Sequence, residues 1–229
     1  MAVKMALDGP SFGPQAGGKP SSLVGLLHGW GANGDDLIGL APYLAPALPG
    51  TLFVSPNAPF PCDANPMGLQ WFSFEDRGEA RLLGGLRLAG SLVDAFLDEQ
   101  LAALGLGADR LALVGFSQGT MLSLHVAPRR QQQIAGVVGY SGALMSPALL
   151  AEEIVTKPPL LLVHGQSDQV VPVQATLAAA EAFELMPQDL TRRSSLRQTV
   201  EMVRVTMEFF EQVVPLLARS EEQLTALTV

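Results

Sequence analysis

Leu111-Ala-Leu-Val-Gly-Phe-Ser-Gln-Gly-Thr120 is the stretch whose reading decides the fold. An apolar run, Leu111 to Val114, stops at Gly115-Phe116-Ser117-Gln118-Gly119, a G-x-S-x-G pentapeptide, and a helical segment from Thr120 to Ala127 follows. Strand, sharp turn with Ser at its apex, then helix is the context of a nucleophile elbow. The glycines answer to a turn too tight for side chains beside the serine. The Ser117 hydroxyl is thereby lifted clear of the sheet, and the helix N-terminus aims free N–H groups at a developing oxyanion.

Outward from the elbow, strands and helices alternate. Ser22–Leu27 is a short apolar run that predicts a buried strand, ending in the glycine-dense loop His28-Gly-Trp-Gly-Ala-Asn-Gly-Asp-Asp36. Asp35 or Asp36 is expected to cap a helix starting at Leu37. Thr51–Val54 is the next strand, and 55–62 a Pro-rich loop. From Glu79 to Leu104, apolar residues at Leu82, Leu86, Ala89, Val93, Phe96 and Leu101 give a long amphipathic helix, closed by Gly105 and Gly107. Ile134–Tyr140 and Leu160–Val163 read as further strands, Ser146-Pro147 as the opening of a helix, and Gln174–Met186 as a helix. Such alternation predicts an α/β fold: a mostly parallel central sheet with helices on both faces. Residues 1–20, rich in Gly and Pro, form an irregular arm or weak edge strand.

Composition narrows the function classes. With 229 residues, 48% of them hydrophobic and 16% charged, the chain fits one compact domain spanning 1–229 rather than a disordered segment. A net charge of −8 disfavours nucleic acid and anionic membranes as partners. The uncharged run Leu37 to Cys62 is long enough to span a bilayer, but its six prolines forbid a spanning helix. The N-terminus lacks a signal pattern, and Cys62, the lone cysteine, fits a reducing cytoplasm. No His/Cys cluster has metal-ligand spacing, so neither a metal nor another cofactor is expected.

With these elements in place, the chain resembles the phospholipase/carboxylesterase branch of the α/β-hydrolases, the group containing the acyl-protein thioesterases. The blocks that carry the resemblance are Leu26-Leu-His-Gly-Trp-Gly-Ala-Asn-Gly-Asp-Asp-Leu37, Val54-Ser-Pro-Asn-Ala-Pro59, Gln70-Trp-Phe72, Gly115-Phe-Ser-Gln-Gly-Thr120, Gly139-Tyr-Ser-Gly142 and Val163-His-Gly-Gln-Ser-Asp-Gln-Val-Val-Pro172. The resemblance implies an α/β-hydrolase fold and hydrolysis of a small-molecule ester or thioester. It makes Ser117 the nucleophile, Asp168 the triad acid, and the backbone N–H groups of Trp30 and Gln118 the oxyanion donors. Met67, Trp71 and Phe72 either line an acyl groove or pack as ordinary core and loop residues.

One part of the pattern is missing. The family carries Gly-His-Gly after its final strand, near residue 200 here, and this chain has no histidine after His164. Residues 188–229 read instead as a divergent helical tail replacing the C-terminal strand. Ser195-Leu-Arg-Gln198 is a capping-box pattern, followed by an apolar seam through Leu196, Val200, Val203, Met207, Phe210, Val214 and Leu217. That seam either docks on the sheet or pairs two copies as a homodimer. His125 lies ~12 Å along its helix from Ser117 and is out of reach. His28 and His164 remain as weak base candidates, each with a structural role as the alternative. The chain is thus either a serine hydrolase with a broken triad or a binding scaffold on the same fold.

Overall fold

The computed structural model describes residues 5–184 and the strand 224–228. Its main sheet has seven strands in the order β1-β3-β2-β6-β7-β8-β9. They are β1 (Ser11–Phe12), β2 (Ser22–Leu27), β3 (Thr51–Val54), β6 (Leu111–Phe116), β7 (Gly136–Tyr140), β8 (Leu160–Gly165) and β9 (Leu224–Thr228), while β4 (Phe60–Pro61) and β5 (Leu69–Gln70) form a separate hairpin. Strands β3, β2, β6, β7 and β8 run parallel, and β1 and β9 pair antiparallel at the two edges. This is the mostly parallel α/β sheet expected from the alternating pattern.

Each central strand is apolar on both sides because both faces are covered. Leu23, Leu27, Leu111, Leu113, Val137, Leu160 and Leu162 pack into one buried cluster. The residues between them, Val24, Leu26, Ala112, Val114, Val138, Leu161 and Val163, pack into the other, as the two-residue period of a strand requires. Helices α3 (Glu79–Leu104), α4 (Gln118–Val126) and α6 (Val173–Glu184) contribute to the first cluster, as does Leu150 of α5 (Pro147–Glu153). Helix α2 (Ala41–Leu44) covers the second through Ala41 and Leu44, after the short α1 (Gly34–Ile38). Helix α3 has the bounds its periodicity gives, and ends where Gly105 turns left-handed at φ 64°.

Two expectations need correction. The cap of α1 is Asn33, not Asp35 or Asp36: the Asn33 side chain accepts the Asp36 N–H, and Asp36 bonds back to the Asn33 N–H. A capping box starts the helix three residues early because Asp serves at its third position. The glycine arm contributes the weak edge strand expected of it, the two-residue β1. The C-terminal edge of the sheet carries a strand rather than a helix, since Leu224–Thr228 pairs antiparallel with Leu161–Gly165. The seamed helix at 195–217, and any dimer built on it, lie outside the described residues.

Candidate functional site

The candidate site sits at the C-terminal ends of β6, β7 and β8. Ser117 follows β6 as the N-cap of α4, with φ 51° and ψ −112°. A non-glycine residue held there stores roughly 1–3 kcal/mol of strain, and such strain concentrates at functional positions. The turn closes because its glycines admit backbone: a Cβ on Gly115 would stand 2.6 Å from Gly119 main-chain atoms, and one on Gly119 1.9 Å from the Leu27 carbonyl oxygen. Main-chain bonds fix the apex. The Ser117 N–H donates to the Tyr140 carbonyl at 2.8 Å, and the Ser117 carbonyl accepts from Met121 at 3.1 Å. Ser117 itself is half-buried, beside an exposed Phe116.

The early glycine loop is built against the elbow. A Cβ on Gly29 would touch the Phe116 ring at 2.9 Å. Gly31, at φ 80°, donates its N–H to Leu69, and its carbonyl accepts from the Asn65 side chain. The Trp30 indole donates to Gln70 Oε1 at 2.7 Å and stacks edge-on against Phe74, with 40% of its surface left exposed. Gln118 is the first residue of α4, so its N–H has no acceptor within the helix. Trp30 and Gln118 therefore stand on the two segments that flank Ser117.

The side chain of Gln118 is a functional feature that the sequence pattern alone does not reveal. It is fully buried, accepts the Trp71 N–H at 2.9 Å and donates to the Phe72 carbonyl at 2.7 Å. The Trp71 indole in turn donates to the His28 carbonyl. One amide thus ties elbow, glycine loop and the 70–72 segment together. Of the three residues weighed as groove or core, Trp71 and Phe72 are core, 0% and 2% exposed, whereas Met67 is 88% exposed.

Asp168 follows β8. Its Oδ1 accepts the N–H groups of Val170 and Val171 at 2.8 and 2.9 Å, and the Ser141 hydroxyl also bonds the carboxylate. Partial burial pulls this carboxyl upward, but the Val171 and Val170 N–H groups, Ser141 and nearby His164 outweigh it, so it lies below the ordinary 3.8. Ser141, inside the Gly139-Tyr-Ser-Gly142 block but given no role by it, reaches Asp168 from a left-handed backbone, φ 47°.

Neither base candidate has a free ring nitrogen. His28 is fully buried; its Nε2 accepts the Ala58 N–H at 3.0 Å, which leaves the proton on Nδ1 for the Gly29 carbonyl at 2.8 Å. Burial holds its pKa below 6.5 against the Gly29 bond and the Asp36 charge. His164 is 1% exposed, with Nδ1 on the Thr176 hydroxyl at 2.6 Å and Nε2 on the Val171 carbonyl at 2.7 Å. Its Nε2 also lies 3.5 Å from Asp168 Oδ2. Both histidines hold loops, each through both of its ring nitrogens. Among the described residues no group of three or more His, Cys, Asp or Glu side chains could hold a metal ion.

A family model described as phospholipase/carboxylesterase matches residues 15–214. The chain belongs to the phospholipase/carboxylesterase family. Esterase YpfH of Escherichia coli is 31% identical over 192 residues, covering 79% of this chain and 76% of its own. Acyl-protein thioesterase 1 of Kluyveromyces lactis is 31% identical over 175 residues, covering 71% and 76%. The crystal structure of esterase PE8 superposes with a TM-score of 0.74 at 40% identity, over 79% of this chain and 84% of that one. An uncharacterized Mycobacterium tuberculosis protein is 88% identical over 50 residues, 22% of this chain; that stretch spans only 12% of the mycobacterial protein. Among the described residues of this phospholipase/carboxylesterase family member, no helix is long and apolar enough to cross a membrane.

Proposed function

We propose that this chain is a serine hydrolase of carboxylic esters or thioesters, working through an acyl-Ser117 intermediate. The observation that carries the reading is the strained, half-buried Ser117 at the head of α4. Its hydroxyl adds to the acyl carbon, the oxyanion is met by the N–H groups of Gln118 and Trp30, and the alcohol or thiol leaves. Each such donor is worth ~2.7–4 kcal/mol in the transition state. The ester and thioester classes come from the relatives, an esterase and acyl-protein thioesterases. The exposed Met67 and Trp30 offer the apolar surface for an acyl chain. A lone, buried Cys62 suits a reducing compartment, which favours the cytoplasm.

Turnover is impaired because the family's histidine is absent and His28 and His164 are engaged. Loss of a triad member leaves a residual ~10³–10⁴-fold acceleration over water from binding and the oxyanion hole. Hydrolysis of p-nitrophenyl esters, measured beside Ser117→Ala, tests the reading. Slow turnover that the variant loses supports it, and rates equal in the two proteins contradict it. The second reading, a non-catalytic binding scaffold, rests on the same engaged histidines, and robust Ser117-dependent turnover removes it.

A further inference from the structure

We infer that Gln70, oriented by Asp63, is a positioning residue of the oxyanion hole, which it serves by anchoring Trp30 through the indole. This rests on the acyl-Ser117 reading, in which the main-chain N–H groups of Trp30 and Gln118 are the two donors. Gln70 and Asp63 act through Trp30 and not on the reacting atoms.

Within its loop, Trp30 is the residue whose N–H is left over. Gly31 and Ala32 donate theirs to the Leu69 and Gly29 carbonyls at 2.9 and 3.3 Å, whereas among the described residues the Trp30 N–H has no main-chain acceptor. The loop runs against the elbow, since a Cβ on Gly29 would lie 3.4 Å from the Phe116 carbonyl oxygen. Trp30 itself is held by its side chain, whose indole N–H donates to Gln70 Oε1 at 2.7 Å.

The Gln70 amide can turn only its oxygen to the indole. It is 3% exposed, and its Oε1 accepts both the Trp30 indole N–H and the Asp63 N–H, the latter at 3.2 Å. Its Nε2 donates to Asp63 Oδ1 at 2.7 Å. A flipped amide would set its NH2 against two N–H donors and its oxygen against a carboxylate. Asp63 is fixed in turn, because its Oδ2 accepts the Ser73 hydroxyl at 2.6 Å and the Phe74 N–H at 3.3 Å. The Ser73 hydroxyl foremost, with the Gln70 amide and the Phe74 and Glu75 N–H groups, outweighs desolvation and holds this carboxyl below 3.8. Asp63 is therefore an ionised acceptor at neutral pH.

Gln70 and its chain neighbour Trp71 reach both donor residues. The Gln70 side chain holds Trp30, and the Trp71 N–H is accepted by the Gln118 side chain at 2.9 Å. The dipeptide is locked in register by the Gly31–Leu69 and Leu69–Ala32 bonds, both 2.9 Å. One short strand, β5, thus ties together the two segments that carry the donors. Such placement matters because a misplacement of about 1 Å can cost ~10²-fold in rate.

The test is kcat and KM for p-nitrophenyl ester hydrolysis above the Ser117→Ala background, with thermal midpoints, in Trp30→Phe, Asp63→Ala, Asp63→Asn and the double variant Trp30→Phe/Asp63→Ala. Trp30→Phe keeps the main-chain N–H and a ring against Phe74 and loses only the bond to Gln70. It is expected to lower kcat and kcat/KM together by about 10-fold or more, with KM and the midpoint at the parent's values. Asp63→Ala should lose kcat likewise, and Asp63→Asn, which keeps an acceptor for Gln70 Nε2, should regain most of it. The double variant should lose no more than the worse single one, since both act through one bond. A parent-like kcat in Trp30→Phe, a rise in KM alone, or losses that multiply in the double variant overturn the assignment. If Asp63→Ala does not fold, Trp30→Phe decides alone. Turnover that depends on Ser117 but is unchanged in Trp30→Phe sinks only the positioning role. Turnover equal in Ser117→Ala and the parent sinks the hydrolase reading and the positioning role with it.

Discussion

Gly119 and Leu27 are in backbone contact: a single methyl on the Gly119 α-carbon would stand 1.9 Å from the Leu27 carbonyl oxygen. The contact joins the turn carrying Ser117 to the strand end carrying His28-Gly29-Trp30. The obstacle is main chain rather than a flexible side chain, so no rotamer change relieves it. Gly119→Ala is expected to cost upwards of about 3 kcal/mol, beyond ordinary overpacking. Chemical denaturation would show it as a lowered midpoint, and an unchanged midpoint would mean that turn and loop are not in contact.

Gln118 carries a comparable burden through its side chain. Truncation in Gln118→Ala strands the Trp71 N–H and the Phe72 carbonyl, both buried. Each lost partner costs about 1–3 kcal/mol. The variant should unfold at clearly lower urea, and it should lose ester turnover further because the 70–72 segment underpins the His28 carbonyl. A stability within half a kcal/mol of the parent contradicts this assignment.

Strain at the nucleophile gives a prediction of opposite sign. Ser117→Gly and Ser117→Ala both remove the hydroxyl, but only glycine accepts φ 51° without penalty. Relief of roughly 1–3 kcal/mol of strain, less the ~0.5–1 kcal/mol entropic cost of glycine, leaves Ser117→Gly more stable by about 1 kcal/mol. Thermal melts of the pair decide it: alanine equal to glycine means the backbone here is not strained.

His125 sets a pH dependence of stability. Burial, with the Arg129 and Arg87 charges, lowers its pKa from 6.5 to about 4, against the opposing charge of Glu153. Its Nδ1 is buried without a hydrogen-bond partner, and the ring closes one side of a cleft of about 150 Å³ between α3 and α4. The folded protein keeps this imidazole neutral while the unfolded chain protonates it. The contribution is therefore complete above pH 6.5 and is lost as pH falls towards 4, on the order of 3 kcal/mol in all. Unfolding free energies from pH 7 to 4 should fall less steeply in His125→Asn than in the parent. Parallel profiles would show that His125 titrates normally.

The sheet was legible because its strands are short apolar runs cut off by glycine or polar loops; β2 and β3 have the expected ends, as has α3. Two-residue strands such as β4 and β5 carry no period, and the hairpin escaped notice for that reason. The elbow was legible because a tight turn imposes small residues in sequence. The role of Ser141 was not, since its block marks the segment but a left-handed backbone at a serine leaves no trace in residue type. Trp71 and Phe72 stayed open between core and groove because aromatic residues suit both. The buried Gln118 amide places them in the core, a long-range bond that no local pattern encodes. At the C-terminal edge the apolar seam points to a helix, while the strand is five residues from Leu224 with no strict two-residue period to mark them.

The most direct measurement is the mass of the tryptic peptide containing Ser117 after prolonged incubation with a p-nitrophenyl ester. A gain of one acyl group on Ser117, absent from Ser117→Ala, is the predicted result. An unmodified Ser117, or acyl groups found only on other side chains, would contradict the assignment of Ser117 as a nucleophile.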